Sequence, residues 1–352
     1  MSRSSFSRLS LFVTLFGLCV VMLGAYVRLS DAGLGCPDWP GCYGQLVAPS
    51  SAEAVDAANA GHNRPLDTAK AWKEMVHRYF AGTLGLLILA IAVAAWRRRH
   101  RDPEQLLAVP LILLALVIFQ ALLGMWTVTL QVKPAIVTAH LLGGVLTVSL
   151  LWWLTLRQAG WGASSPPGDQ RRLRPWVWLG IILLLLQISL GGWTSTNYAA
   201  LGCTEFPTCY GGQWWPATDF SEAFVLWRGL GINYEFGVLD SAARTAIHLT
   251  HRIGALLVLL YLGGLAWRLL RSPPGGGWRG LGIALVLTLA LQISLGIGNV
   301  LGGLPLPVAV AHNGGAVVLM LVLLTLLHRV SPRSHRSPAL QGQRAAIEEK
   351  GS

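Results

Sequence analysis

Residues 74–96 read E-M-V-H-R-Y-F-A-G-T-L-G-L-L-I-L-A-I-A-V-A-A-W. Beyond the polar opening of Glu74, His77 and Arg78, no charge interrupts the run before Arg97. Crossing a bilayer core as a helix takes roughly 20 apolar residues, and this run is long enough. Seven similar runs fall near 9–27, 106–130, 135–156, 176–196, 244–267, 280–301 and 307–328. A chain of 352 residues with 53% hydrophobic and 12% charged residues cannot cover a globule with solvated side chains. A soluble, disordered or fibrous protein is thereby excluded, and the chain reads as an all-α polytopic membrane protein with eight transmembrane helices. Arg3 and Arg8 precede the first run as in a signal peptide, but no small-residue cleavage site follows. That run is expected to remain as a span.

The formal charge of +11 would suggest nucleic acid in a soluble protein. Here its distribution sets orientation, and no nucleic-acid partner is expected. With the N-terminus inside, 18 of the 27 Lys and Arg fall on the cytoplasmic side: Arg3, Arg8, Arg97–Arg101, Arg157–Arg174, Arg268–Arg279 and the tail from Arg329 to Lys350. Both termini are therefore expected in the cytoplasm. Trp72, Trp96, Trp176, Trp178 and Trp267, near span ends, suit an interfacial belt.

The chain also repeats itself. G-L-G-C-P-D-W-P-G-C-Y-G-Q from Gly33 returns as A-L-G-C-T-E-F-P-T-C-Y-G-G-Q from Ala200, and His77-Arg78 returns as His251-Arg252. Q-A-L-L-G from Gln120 returns from Gln292, and A-H-L-L-G around His140 returns around His312. Offsets of 167 to 174 residues in four ordered matches mark a duplication. Four spans per half is an even number, so both halves enter the membrane the same way round. The expected organisation is two tandem four-helix bundles, 1–157 and 176–330, related by a pseudo-two-fold along the membrane normal. Residues 158–175 would be a cytoplasmic linker and 331–352 a cytoplasmic polar tail.

Four histidines lie within spans: His77, His140, His251 and His312. Each sits a few residues inside the outer end of an even-numbered span. A single membrane histidine is commonly a hydrogen-bond partner between helices. Four at matched depth in a duplicated frame point instead to axial ligation of haem iron, two per bundle. Gly143 and Gly315, three residues after a histidine, are expected to leave room for a flat macrocycle. Zinc is the weaker choice, because no Cys or carboxylate cluster completes a tetrahedral set. Arg78 and Arg252 either snorkel to headgroups or pair with haem propionates. Glu74 shares a helix face with His77 and is either a helix-terminus acid or part of the chemistry. His248 replaces it in the second half.

Cys36 with Cys42, and Cys203 with Cys209, form C-x5-C loops on the outer side. Each pair can oxidise there, as a structural clip or as a redox-active pair. Cys19, among apolar residues of the first span, is expected to be a packing residue.

With these residues in place, the chain resembles the haem A synthase family of cytochrome oxidase assembly. The likeness rests on eight spans in two repeated halves, four histidines, E-M-V-H-R at Glu74 to Arg78, and two outer cysteine pairs. The resemblance implies oxidation of a ring methyl of haem O to the formyl group of haem A. Two successive hydroxylations would give a hydrated aldehyde that loses water. It further implies that His251 and His312 ligate a resident haem b, and that His77 and His140 ligate the substrate haem with Glu74 as the catalytic residue. Cys36 and Cys42 are implicated in activity. Haem O, haem A, membrane lipid, an electron donor, haem O synthase and oxidase assembly factors are the implied partners, in the cell (inner) membrane. Three rival classes were weighed: a di-haem b electron-transfer protein, a quinone-linked thiol oxidase and a repeat transporter. The first gives no role to Glu74, the second does not require four membrane histidines, and the third lacks midplane charges.

Overall fold

The computed structural model describes residues 3–62, 64–100, 107–159, 171–272 and 277–331. Among them, ten helices follow in order: α1 (Arg3–Leu29), α2 (Ala52–Gly61), α3 (Thr68–Arg98), α4 (Ala108–Thr129), α5 (Pro134–Ala159), α6 (Arg174–Thr196), α7 (Phe220–Ala223), α8 (Ser241–Leu270), α9 (Trp278–Leu301) and α10 (Leu306–Val330). Eight of these, all but α2 and α7, are long and apolar enough to cross a membrane. The described residues form no strand beyond isolated bridges in the two cysteine loops. Most of the linker 158–175 and all but Ser331 of the tail 331–352 lie outside the described residues.

The predicted spans recur with longer ends. Asp67 accepts a hydrogen bond from the Lys70 N–H and caps α3, and Asp240 does the same from the Ala243 N–H for α8. These caps start α3 six residues before the predicted run, so Glu74 lies in the second turn rather than at the lip. The short helix α2 lies in the same outer segment as the Cys36–Cys42 loop and after it, with no apolar run to mark it in the sequence. It is polar, and Ser51 caps it.

In the first half α1 packs on α3 and α5, and α4 packs on the same two. In the second, α6 and α9 each pack on α8 and α10. The halves meet where α10 touches α1 and α5, and where α5 touches α6. Buried Phe6, Leu84, Leu113 and Leu151 fill the first group, and Leu184, Leu262, Leu285 and Leu323 the second. Trp72, Trp96, Trp176, Trp178 and Trp267 are all exposed on the perimeter, as an interfacial belt requires. Cys19 is also exposed, so the expectation of a packing role is corrected. Its position on α1 faces outward, away from α3 and α5.

Polar bonds join the halves. Trp152 Nε1 on α5 donates to the Leu321 carbonyl at 3.1 Å and to Thr325 Oγ1 at 2.9 Å on α10. At the other end, Arg28 Nη2 donates to the Ser195 carbonyl at 2.6 Å, and Arg64 pairs with Glu235 at 2.8 Å. Lipid is as apolar as leucine, so such bonds and close packing hold membrane helices together. Trp152→Phe keeps the ring and deletes the donor. An interhelical hydrogen bond in a membrane protein contributes about 0.6–1.7 kcal/mol. The variant should therefore unfold a few degrees lower in a detergent thermal melt, and an unchanged midpoint would remove this bond from the interface.

Candidate functional site

Each of the four histidines packs across a glycine of the neighbouring helix. A methyl group on Gly24 of α1 would lie 2.9 Å from Cε1 of His77, and on Gly124 of α4 it would lie 3.5 Å from Cε1 of His140. On Gly191 of α6 it would lie 3.3 Å from Cε1 of His251, and on Gly296 of α9 it would lie 3.1 Å from Cε1 of His312. The same ring edge meets the same residue type four times. His77 and His140 stand on α3 and α5, which both pack on α1 and α4, and His251 and His312 stand on α8 and α10, which both pack on α6 and α9. The histidines thus pair within each half.

The donor set fits haem iron. Nδ1 of His77, His140 and His312 is buried without a hydrogen-bond partner. Each ring therefore keeps coordinating capacity that the protein leaves unused. No cluster of three or more His, Cys, Asp or Glu able to hold a metal ion occurs among the described residues, which counts against zinc. Two facing imidazoles without further protein ligands are what an axially ligated haem requires. The residues expected to make room beside the histidines behave differently. A side chain at Gly143 would collide with the Gln120 amide, and one at Gly315 with the Gln292 amide. Those gaps are filled by glutamines.

Above the histidines, the two cysteine loops are pinned to the helices by one shared design. Cys36–Cys42 and Cys203–Cys209 are disulfide-bonded. Gly35 and Gly202 lie against the backbone of α3 and α8, where a Cβ would come within 2.5 Å and 2.6 Å of main-chain atoms of Lys70 and Arg244. Asp38 accepts from the Tyr43 and Gly44 N–H groups, and Glu205 from those of Gly211 and Gly212. The Gly212 N–H and the Thr208 hydroxyl hold the Glu205 carboxyl below the ordinary carboxylate range. Its contribution to loop order is present above that range and is lost as pH falls through the lowered value.

Arg78 donates through Nη1 to the carbonyls of Asp38, Pro40 and Gly41, and Arg252 donates to those of Cys203, Glu205 and Thr208. Both arginines clamp the loops, a role missed in the sequence. Six backbone carbonyls converge there, three in each loop, and a main-chain acceptor has no side-chain identity for a sequence to show.

Glu74 completes the first clamp. Its Oε1 pairs with Arg78 Nη2 at 2.6 Å, and its Oε2 accepts the Cys36 N–H at 3.0 Å. The carboxylate is 5% exposed, so both bonds form in a desolvated place where losing either is costly. It thus faces the disulfide loop, one turn before His77. In the second half His248 Nδ1 accepts the Cys203 N–H at 3.0 Å. A neutral imidazole has one acceptor nitrogen, so the 3.3 Å approach of Arg252 Nε to His248 Nε2 is a contact and not a second bond. Glu74 can bind both neighbours; His248 can bind one.

Fold and site define a polytopic helical membrane protein that carries two intramembrane histidine pairs beneath disulfide-bonded loops. Residues 7–324 match the model of a family described as cytochrome oxidase assembly protein. The heme A synthase of Shewanella oneidensis is 45% identical over 312 residues, covering 88% of this chain and 92% of that protein. Those of Halalkalibacterium halodurans and Agrobacterium fabrum are 26% and 29% identical, covering 90% and 89% of this chain and 94% and 87% of theirs. The chain belongs to this haem A synthase family of cytochrome oxidase assembly proteins.

Removing the Glu74 tether should expose the first disulfide. Glu74→Ala and Arg78→Ala are expected to accelerate reduction of Cys36–Cys42 several-fold while Cys203–Cys209 keeps its rate. Timed alkylation after dithiothreitol, read by mass spectrometry, measures both. Wild-type rates at Cys36–Cys42 in both variants would refute the clamp.

Proposed function

We propose that this chain is a haem A synthase, an oxidoreductase that converts a ring methyl of haem O to the formyl group of haem A for cytochrome oxidase assembly. The observation that carries the reading is the placement of His77 with His140 and of His251 with His312 on the two helices of each half that share the same neighbours, each ring against a glycine, in a chain of this family. The helices form two tandem four-helix bundles related by a pseudo-two-fold along the membrane normal. Support comes from the two matched sets of helix contacts and from the two loops pinned in the same way. The protein spans the cell membrane with both termini cytoplasmic, as the uneven distribution of Lys and Arg supports.

His251 and His312 hold a resident haem b, and His77 and His140 hold the substrate haem. A bound haem b supplies one-electron redox chemistry at a low-spin iron. The chain's own residues orient the macrocycles and exclude water. Arg78 and Arg252 reach propionates with the N–H donors that the loops leave over, since a guanidinium has five. Glu74 handles protons. Protonation at either carboxylate oxygen weakens its hold on Arg78 or on the Cys36 N–H, so proton uptake is coupled to the loop. Haem O synthase and oxidase assembly factors are the partners that would deliver substrate and take product.

Replacing His251 or His312 should abolish the low-spin haem b spectrum of the purified protein. Replacing His77 or His140 should spare that spectrum and abolish haem A. Equal loss of haem b in all four variants would overturn the division between halves. Haem b alone in the wild-type protein, with no haem O, haem A or hydroxylated intermediate extractable, would favour an electron-transfer protein instead.

Glu74→Gln retains an acceptor for the Cys36 N–H but cannot exchange a proton as a carboxylate does. It should keep the haem b spectrum and the protected disulfide while haem A falls to little or none. Haem A at the wild-type level would return Glu74 to a purely structural role.

A further inference from the structure

Three of the four histidines have a partner that the fourth lacks. On α4, α6 and α9 a glutamine stands four residues before the glycine beneath the ring: Gln120 with Gly124, Gln187 with Gly191, and Gln292 with Gly296. Three residues after each corresponding histidine stands a glycine: Gly143, Gly254 and Gly315. A side chain at any of these would collide with the amide of Gln120, Gln187 or Gln292 respectively. Glutamine and glycine therefore occur as matched pairs on facing helices.

Two of the three amides reach the rings. Gln187 Nε2 lies 3.0 Å from His251 Nδ1 and 3.0 Å from the His251 carbonyl, and Gln292 Nε2 lies 3.4 Å from His312 Nε2. Gln187 Oε1, Gln292 Oε1 and Gln120 Nε2 are buried with no partner. At the fourth histidine the pattern is broken twice. Val20 occupies the place of the glutamine before Gly24, and Phe80 the place of the glycine after His77.

We propose that Gln120, Gln187 and Gln292 are positioning residues that orient His140, His251 and His312 for iron, and that His77, lacking one, is the exchangeable ligand. This rests on the haem assignment above and extends it to residues outside the ligand set. A histidine that binds a metal through one ring nitrogen donates its other N–H to an acceptor, which fixes its tautomer and orientation. A glutamine amide offers acceptor and donor at one site, and turning it about its last bond exchanges them. The unpartnered oxygens of Gln187 and Gln292 can accept in this way when the other ring nitrogen faces iron. A polar amide in an apolar bundle otherwise costs stability, and three with facing glycines are more than helix association needs. By this arrangement both imidazoles of the resident haem are held, whereas the substrate haem has one held and one free ligand. A substrate must arrive and leave, and a cofactor must not.

The test uses the full-length protein in detergent, with haem b as the probe. Gln187→Leu and Gln292→Leu are expected to weaken haem retention roughly 10–100-fold, the usual effect of losing a partner of a metal ligand. They should also raise the reduction potential of the low-spin haem, and Gln187→Glu should shift it the opposite way, because a stronger acceptor makes the imidazole more basic. A merely structural role would not reverse sign between these variants. The converse graft, Val20→Gln with Phe80→Gly, should slow haem transfer from the first half to apomyoglobin about tenfold, by the same partner effect. It remains informative if a leucine variant fails to fold. Unchanged retention and potential in the leucine variants, or unchanged transfer in the graft, would overturn the inference while His251→Ala still loses haem. Retention of haem by His251→Ala would instead overturn the haem assignment itself.

Discussion

An imidazole inside a membrane bundle carries two ring nitrogens into surroundings with few partners, and each of these four histidines meets that constraint by lying over a glycine of the next helix. At Gly24, Gly191 and Gly296 a Cβ would crowd the ring edge at 2.9 to 3.3 Å, and at Gly124 it would just touch it at 3.5 Å. That contact sets the spacing between α1 and α3, α4 and α5, α6 and α8, and α9 and α10. Helix association in lipid depends on such close approach, so the residues that seat the ligands also seat the helices. A change at one of these glycines would disturb the fold and the site together.

The loops solve a second problem. Long segments outside the membrane must be fixed above the histidines, and the charge for doing so comes from the helices below. Arg78 and Arg252 each gather three backbone carbonyls from a disulfide-closed loop. A guanidinium with so many acceptors is well satisfied, but its positive charge stays. In the first half Glu74 neutralises that charge at 2.6 Å; in the second, neutral His248 does not. The first clamp therefore has an acid paired directly with its arginine, whereas the arginine of the second has none.

The sequence made eight spans legible because a bilayer demands long uninterrupted apolar runs, a signal far stronger than helix propensity in a soluble protein. The duplication was legible from the cysteine loops and the H-R pairs. The ends of α3 and α8 were less so, because Asp67 and Asp240 cap these helices within polar surroundings that read as loop. The four histidines stood out by their matched depth in a duplicated frame, and their assignment to haem iron is the proposal made from it. The clamping role of Arg78 and Arg252 did not stand out, since their partners are backbone carbonyls. Gly143 and Gly315 were rightly singled out as making space, but what occupies the space was visible only once the facing helices were in place. Gln187 carries a sequence signal, since it opens the same Q-I-S-L-G as Gln292, a repeat between two helices of one half rather than between halves.

Duplication gives two equal sites, and a haem-modifying enzyme needs unequal ones. Three departures fall beside His77. Glu74 replaces the histidine found at 248, Val20 replaces a glutamine, and Phe80 replaces a glycine. Each substitution removes support from one imidazole or places an ionisable carboxylate next to it. Phe80 moreover turns outward to stack on Phe16, with ring centroids 5.6 Å apart, so its bulk lies on the perimeter and not over the ring. The space that a glutamine fills elsewhere is thus left apolar at His77. His77 alone of the four lacks a neighbouring glutamine, and it stands one turn from Glu74, the buried acid of the first clamp. The proposed loose ligand and the proposed proton-handling acid fall on the same helical turn, which is where the proposed reaction on a transient haem would need them.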